Sequence, residues 1–328
     1  MRKNLNSEHI EGRLYQHSLE VKTVKNQQSA NFGKPFIGGK IEIATDEQGL
    51  NVVPVEFTYV APQTKAGGTN KTYTELMKII ESGKTWIADG ADAATKVSVD
   101  TALALNDFYV QEGDKEVLVS QKINQGGFVT IVAELKKDVN QRSTFQTDML
   151  ITNVTRVDAN PERNIDADYV RVHGAVFDFK NSLLPIEFVV RNPGGMEYFE
   201  NLGVTGAEPV YTKVWGRIVN ATTSIPVTEE TAFGEVAVTS RERKIREWVI
   251  TGASKVPYDF GDEKVMTMDE VVKANQDRQV YLADKKRQRE EYLAQKNAAT
   301  PAAPAGFPTS PSPAPTTPVM APVGGFTF

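Results

Sequence analysis

The chain has 328 residues, 40% hydrophobic and 24% charged, enough to bury a core and more than one domain of ordinary size requires. It has no cysteine, which excludes disulfides and thiolate metal sites, and its histidines (His9, His17, His173) are too dispersed for a metal cluster, so no cofactor is expected. The net charge of -5 argues against a polyanionic partner, but residues 1–45 carry seven Lys or Arg against four Glu, a local +3.

The opening MRKNLNSEHIEG is charged without an apolar stretch, and no run of about 18 apolar residues follows anywhere, so a cytoplasmic protein without membrane contact is expected. Residues 10–24, IEGRLYQHSLEVKTV, with Gly12 near the start, suit one long bent strand. Over 36–45 the isoleucines 37, 41 and 43 alternate with Lys40 and Glu42, which predicts a strand with one wet face. DEQGLN turns the chain, and Val53, Val55, Phe57 and Tyr59 then share a face of a third strand.

TYTELMKIIESG predicts a helix capped by Thr72, with Glu75 as its capping-box partner and Gly83 at its end. Strand patterns return in TWIA, VSVDTALAL, EVLVSQKI, GFVTIVAEL and DMLITNVTRV, more than a minimal five-stranded barrel needs, so an inserted hairpin is expected. The polar ANPERNIDAD, 159–168, predicts a boundary, after which YVRVHGAVFDF, LLPIEFVV, VYTKVWGRIVNAT, GEVAVTS and REWVITGA form a second strand series, with GGMEYFENLG as a short helix. Both series open on a strand with a central glycine, a hint of duplication.

Thr267 and Glu270 form a capping box for a long helix, docked through Val271, Val272, Val280 and Leu282 and then solvated over KKRQREE. Residues 298–328 are uncharged and rich in proline, the composition of a disordered tail. The expected architecture is therefore mainly β: an OB-fold-like barrel (1–158), a second β-rich domain open to an OB-like reading (159–266), a long helix (267–297) and the tail.

GKPFIGGK, 33–40, imitates a phosphate-binding loop, but Lys34 stands where a glycine is required and Ile41 where a hydroxyl holds magnesium. No catalytic constellation assembles, so an enzyme is not expected. Strands one to three instead combine cations with rings, the pairing that holds a charged backbone with exposed bases. The candidate nucleic-acid-binding residues are Arg13, Tyr15, Lys22, Lys25, Lys34, Phe36, Lys40, Phe57, Tyr59 and Trp86. Phe57 is weighed as a core residue too, since it alternates with Val53 and Val55.

The run IEGRL, FIGGKIEIATDE, NVVPVEFTYV and ELMKIIESGKTW resembles, in order and spacing, the bacterial and phage single-stranded DNA-binding proteins with an OB-fold, over roughly the first 90 residues. The resemblance implies Ile10, Gly12 and Leu14 on the first barrel strand and Ile43, Ala44 and Thr45 on the second. It implies stacking by Phe57 or Tyr59, Trp86 near the nucleic acid, and a role in DNA replication or recombination. It also implies replication or recombination proteins as partners of the tail, which keeps Gly325, Phe326 and Phe328 but lacks the family's acidic tip. The competing class is a structural or scaffolding protein that assembles through its two β-domains, long helix and tail; homo-oligomers fit either reading.

Overall fold

The computed structural model describes residues 4–299 except 114, 161, 163, 164, 206, 230–236, 263 and 264. The alternating apolar residues build eleven strands joined in one sheet. The first ring takes β1 (Asn6–His17), β3 (Pro35–Ala44), β4 (Val52–Val60), β5 (Lys96–Glu112) and β6 (Lys115–Ile131). β1 pairs antiparallel with both β3 and β5, β3 with β4 and β5 with β6, and a parallel contact of β4 with β6 closes the ring. This strand order, with helix α1 (Lys71–Ser82) between the third and fourth ring strands, is that of an OB-fold. Ile10, Leu14, Ile41, Ile43, Val53, Val55, Val97 and Val99 point inward and are fully buried.

The strand expected over 10–24 is broken at Ser18–Leu19, and its second part, β2 (Glu20–Thr23), folds back onto β3. Gly39 permits the break: its φ is +132°, and a Cβ there would stand 2.2 Å from the Ser18 carbonyl oxygen. Among the described residues β2 is the one strand with a single neighbour.

Helix α1 starts two residues earlier than expected. Asn70 is its cap, accepting from the Thr72 N–H at 3.1 Å, while Glu75 accepts from Ile131 N–H at 3.2 Å and pairs with Lys78. Thr72, freed from capping, donates its hydroxyl to the Gly127 carbonyl and ties the helix to β6. TWIA is not a strand but the short helix α2 (Trp86–Asp89), capped by Thr85. EVLVSQKI and GFVTIVAEL are one continuous strand, β6, so the expected extra hairpin is a long projection of β5 and β6 themselves.

The second ring repeats the first. β7 (Ser143–Val157), β8 (Tyr169–Phe177) and β9 (Leu183–Val190) lead to helix α3 (Pro193–Glu200), then β10 (Val210–Glu229) and β11 (Ala237–Ala253). The pairings β7–β8, β8–β9, parallel β9–β11, β11–β10 and β10–β7 close it in the same order. DMLITNVTRV, expected in the first domain, thus opens the second ring, and 159–168 is its β7–β8 connection. Gly174, taken as the counterpart of Gly12, lies on the second strand of its ring. Both glycines serve one purpose: a Cβ would meet a neighbouring strand's carbonyl oxygen, that of Ala44 at 2.1 Å and of Leu150 at 1.9 Å. The rings share an antiparallel β1–β7 pair running from Asn6↔Thr147 to Ile10↔Ser143.

Helix α4 (Met268–Ala299) begins with the expected reciprocal cap, Thr267 N–H to Glu270 Oε2 at 2.8 Å and Glu270 N–H to Thr267 Oγ1 at 3.3 Å. Its docking face differs from expectation: Val271 and Ala274 are buried with Phe177, Leu183 and Tyr211, whereas Val272 and Val280 are exposed. Residues 1–283 form one compact unit. In the second, 284–328, the described part is the end of α4, where Arg287 pairs with Asp284 and Glu291. The tail expected from 298 lies, from residue 300 on, outside the described residues.

Candidate nucleic-acid interface

In an OB-fold the ligand face is made by the second and third ring strands, flanked by the first–second and fourth–fifth strand connections. Here those are β3 and β4, the β2 excursion, and the β5–β6 hairpin. A cleft of about 600 Å³ occupies that place, lined by Lys22, Phe36, Gly38 and Lys40 on one side and by Leu105, Asn106, Ile123 and Gln125 on the other. Glu56 and Thr58 lie on its β4 wall. The Phe36 ring packs 4.8 Å from Tyr59 at 31°, and Tyr59 is 44% exposed where β4 leaves the barrel. Gly38 leaves the floor low, since an added Cβ would already touch the Phe36 ring at 3.4 Å.

The cations at this face have acidic partners of different exposure. Lys22 reaches Glu20, 69% exposed, at 3.4 Å, a pair worth about 0–1 kcal/mol and exchanged at little cost. Lys40, itself 47% exposed, pairs with Glu42, which is 15% exposed and also accepts from Gln16. Lys25 and Lys34 are exposed on the hairpin that joins β2 to β3, Lys34 donating to Asn31 Oδ1 at 3.1 Å. Phe32, missed by the sequence reading, is 53% exposed in the same hairpin. Its signal was local, an aromatic between turn-forming Asn31 and Gly33, the latter at φ +76°.

Phe57, weighed as stacking ring and as core residue, is core: it is 3% exposed at the cleft's inner wall and packs over Gly126, where a Cβ would stand 2.2 Å from its ring. Arg13, Tyr15 and Trp86 do not line the cleft but form a packed cluster of their own. The Tyr15 and Trp86 rings lie 6.2 Å apart, and Trp86 rests on Gly49, so its stacking faces are largely taken. Arg13 and Arg142 both grip Glu47, at 2.5 and 2.6 Å, and their hydrogen bonds hold its carboxyl below the usual carboxylate range. Arg13 is thereby committed to the fold. Of the ten candidates the structure brings Lys22, Phe36, Lys40 and Tyr59 together, with Lys25 and Lys34 on the neighbouring hairpin.

Among the described residues no group of three or more His, Asp or Glu could hold a metal ion, and no helix is long and apolar enough to cross a membrane. No curated protein matches the chain in sequence. Among solved structures, the chain is similar to a deletion mutant of the single-stranded DNA binding protein from Thermus aquaticus, at 13% identity and TM-score 0.43, covering 80% of this chain and 98% of that one. A replication protein A heterotrimer bound to single-stranded DNA matches at 9% identity and TM-score 0.16, over 78% of this chain and 67% of that one. The YorF family model matches residues 4–288, which takes in both rings and most of α4, and the chain belongs to that family.

Proposed function

We propose that the protein is a non-enzymatic, sequence-tolerant binder of single-stranded DNA, acting in the cytoplasm in phage or bacterial replication or recombination. One observation carries the reading: the open cleft on the first ring lies on the OB ligand face and combines two surface lysines with the Phe36 ring, which packs against exposed Tyr59 beside the cleft. Bases stack on Tyr59 and Phe36 while the backbone follows Lys22, Lys40 and the Lys25–Lys34 hairpin. Thr58, Asn106 and Gln125 offer polar contacts of either sense, which suits tolerance of sequence.

The test is anisotropy of labelled oligo-dT against the full chain over a salt series. Each phosphate neutralised on a single strand contributes about -0.7 to the log–log slope, so Lys22→Ala/Lys40→Ala should flatten it by about 1.4. A flat salt response of the intact protein, or a double variant indistinguishable from it, rejects the cleft. A scaffold protein would instead ignore oligo-dT.

A further inference from the structure

A second surface, on the other ring, has the same chemistry and was not legible in the sequence. Trp215 on β10 stands opposite Gly252 on β11, next to a slip in the strand ladder. A Cβ on residue 252 would lie 2.5 Å from the indole, so only the bare glycine lets Trp215 settle over the neighbouring strand. One side of the indole is thus supported by backbone, while 40% of the residue remains exposed.

Arg217, two residues on and exposed on the same face, donates to a neutral acceptor among the described residues, Asn140 Oδ1, at 2.7 Å. Beside it runs a groove of about 340 Å³ with Arg191, Arg217 and Arg243 on its walls and Val219 and Val249 among its lining. Arg217, on the same face of β10 as Trp215, lines this groove and so links the ring to the guanidiniums. Two acids share the groove's lining: Glu247, 25% exposed, meets Arg191 with both carboxylate oxygens at 2.8 Å, and Asp166, 80% exposed, pairs with Arg243 at 2.8 Å.

A supported ring with an open side takes a base by stacking, and guanidiniums at this spacing take phosphate oxygens through paired N–H donors. We infer that the β10–β11 face is a second contact for the same single strand, with a base on Trp215 and the backbone along Arg217, Arg243 and Arg191. The inference rests on the single-strand reading and extends it: the strand engages both rings, and the occluded length exceeds what one OB ring covers.

The experiment uses the full chain carrying Trp86→Phe, so that emission comes from Trp215 and the buried Trp248. The ligand is oligo-dT of about 30 nucleotides, long enough for two OB-type sites. Emission should be quenched in step with binding, and poly-glutamate should leave it unchanged. Arg217→Ala/Arg243→Ala should lower the salt slope by about 1.4. Trp215→Ala should weaken binding about tenfold, with Trp215→Phe restoring most of it. Normal binding with constant emission, an unchanged slope, or equal quenching by poly-glutamate overturns the second contact while the cleft stands. Binding that survives Lys22→Ala/Lys40→Ala but is lost in the arginine variant rejects the cleft and keeps this face. Failure of the intact protein to bind oligo-dT removes both.

Discussion

Glu8 shows how one side chain can set a pH response. On β1 it shares parity with Ile10, Gly12 and Leu14, and the pleat therefore turns it inward. It is 2% exposed, with Oε1 accepting from the Trp248 indole N–H at 2.9 Å and Oε2 without a protein partner. Burial pushes its pKa up from 4.5 to about 8, the indole hydrogen bond opposing the shift only in part. The folded carboxyl therefore keeps a proton that the unfolded chain has lost, across the window from 4.5 to about 8. Stability is greatest at the acid end of that window and declines as pH rises, by up to about 1.4 kcal/mol per pH unit, levelling off above the folded pKa. Glu8→Gln should remove the decline while keeping an acceptor for the indole. Urea unfolding of both proteins across that window checks it, and parallel curves would contradict the assignment. The sequence reading starts its first strand at Ile10 and counts Glu8 only as a charge; no local pattern reveals its partner, 240 residues away.

At the scale of elements, α4 is held to the body by an ion pair as well as by its buried Val271 and Ala274. Arg278 donates Nη2 to Asp107 Oδ1 at 2.9 Å and Nη1 to Oδ2 at 3.2 Å, and Ser120 donates to the same carboxylate at 2.6 Å. Both charged side chains are under 10% exposed. Removing one partner of such a pair leaves a buried charge and costs about 3–5 kcal/mol, whereas replacing both by apolar groups is often near neutral. Arg278→Ala should therefore lower the denaturant midpoint markedly, and Arg278→Met/Asp107→Leu should recover most of it; equal losses would refute the coupling. The helix itself was legible from Thr267 and Glu270. Its seat was legible only in Val271: Val272 and Val280 stay exposed, and Arg278 docks on an acid of a distant hairpin that no local pattern indicates. The strands divide in the same way. Ile41, Ile43, Val53 and Val55 announce their faces by alternation, but EVLVSQKI and GFVTIVAEL seemed separate because Gly126 and Gly127 read as a turn. In the fold those glycines stay extended in β6, where Gly126 makes room for the Phe57 ring. Trp215 escaped notice for a similar reason, since its exposure depends on a glycine one strand away.

At the scale of the molecule, β1 couples the rings. It pairs with β3 and β5 to close the first and with β7 to extend into the second, and its Glu8 reaches Trp248 of the second. Two barrels linked by a tether could melt separately; two barrels joined by a strand pair, β1 to β7, should not. Trp248 emission in a Trp86→Phe/Trp215→Phe protein and far-ultraviolet circular dichroism should therefore report one coincident unfolding transition. Two resolved transitions would show the rings to be independent. Duplication was faintly visible in the sequence through Gly12 and Gly174, yet the register of the repeat was not, because glycines mark crowded strand crossings rather than the beginnings of domains.

Ring closure also bears on how the protein behaves when concentrated. Among the described strands ten have two neighbours, and the exception, β2, offers only four residues bearing Glu20 and Lys22 with exposed Val21 and Thr23. A template so short and so charged gives a foreign strand little to extend, which guards a β-rich chain against fibrils and sticky self-association.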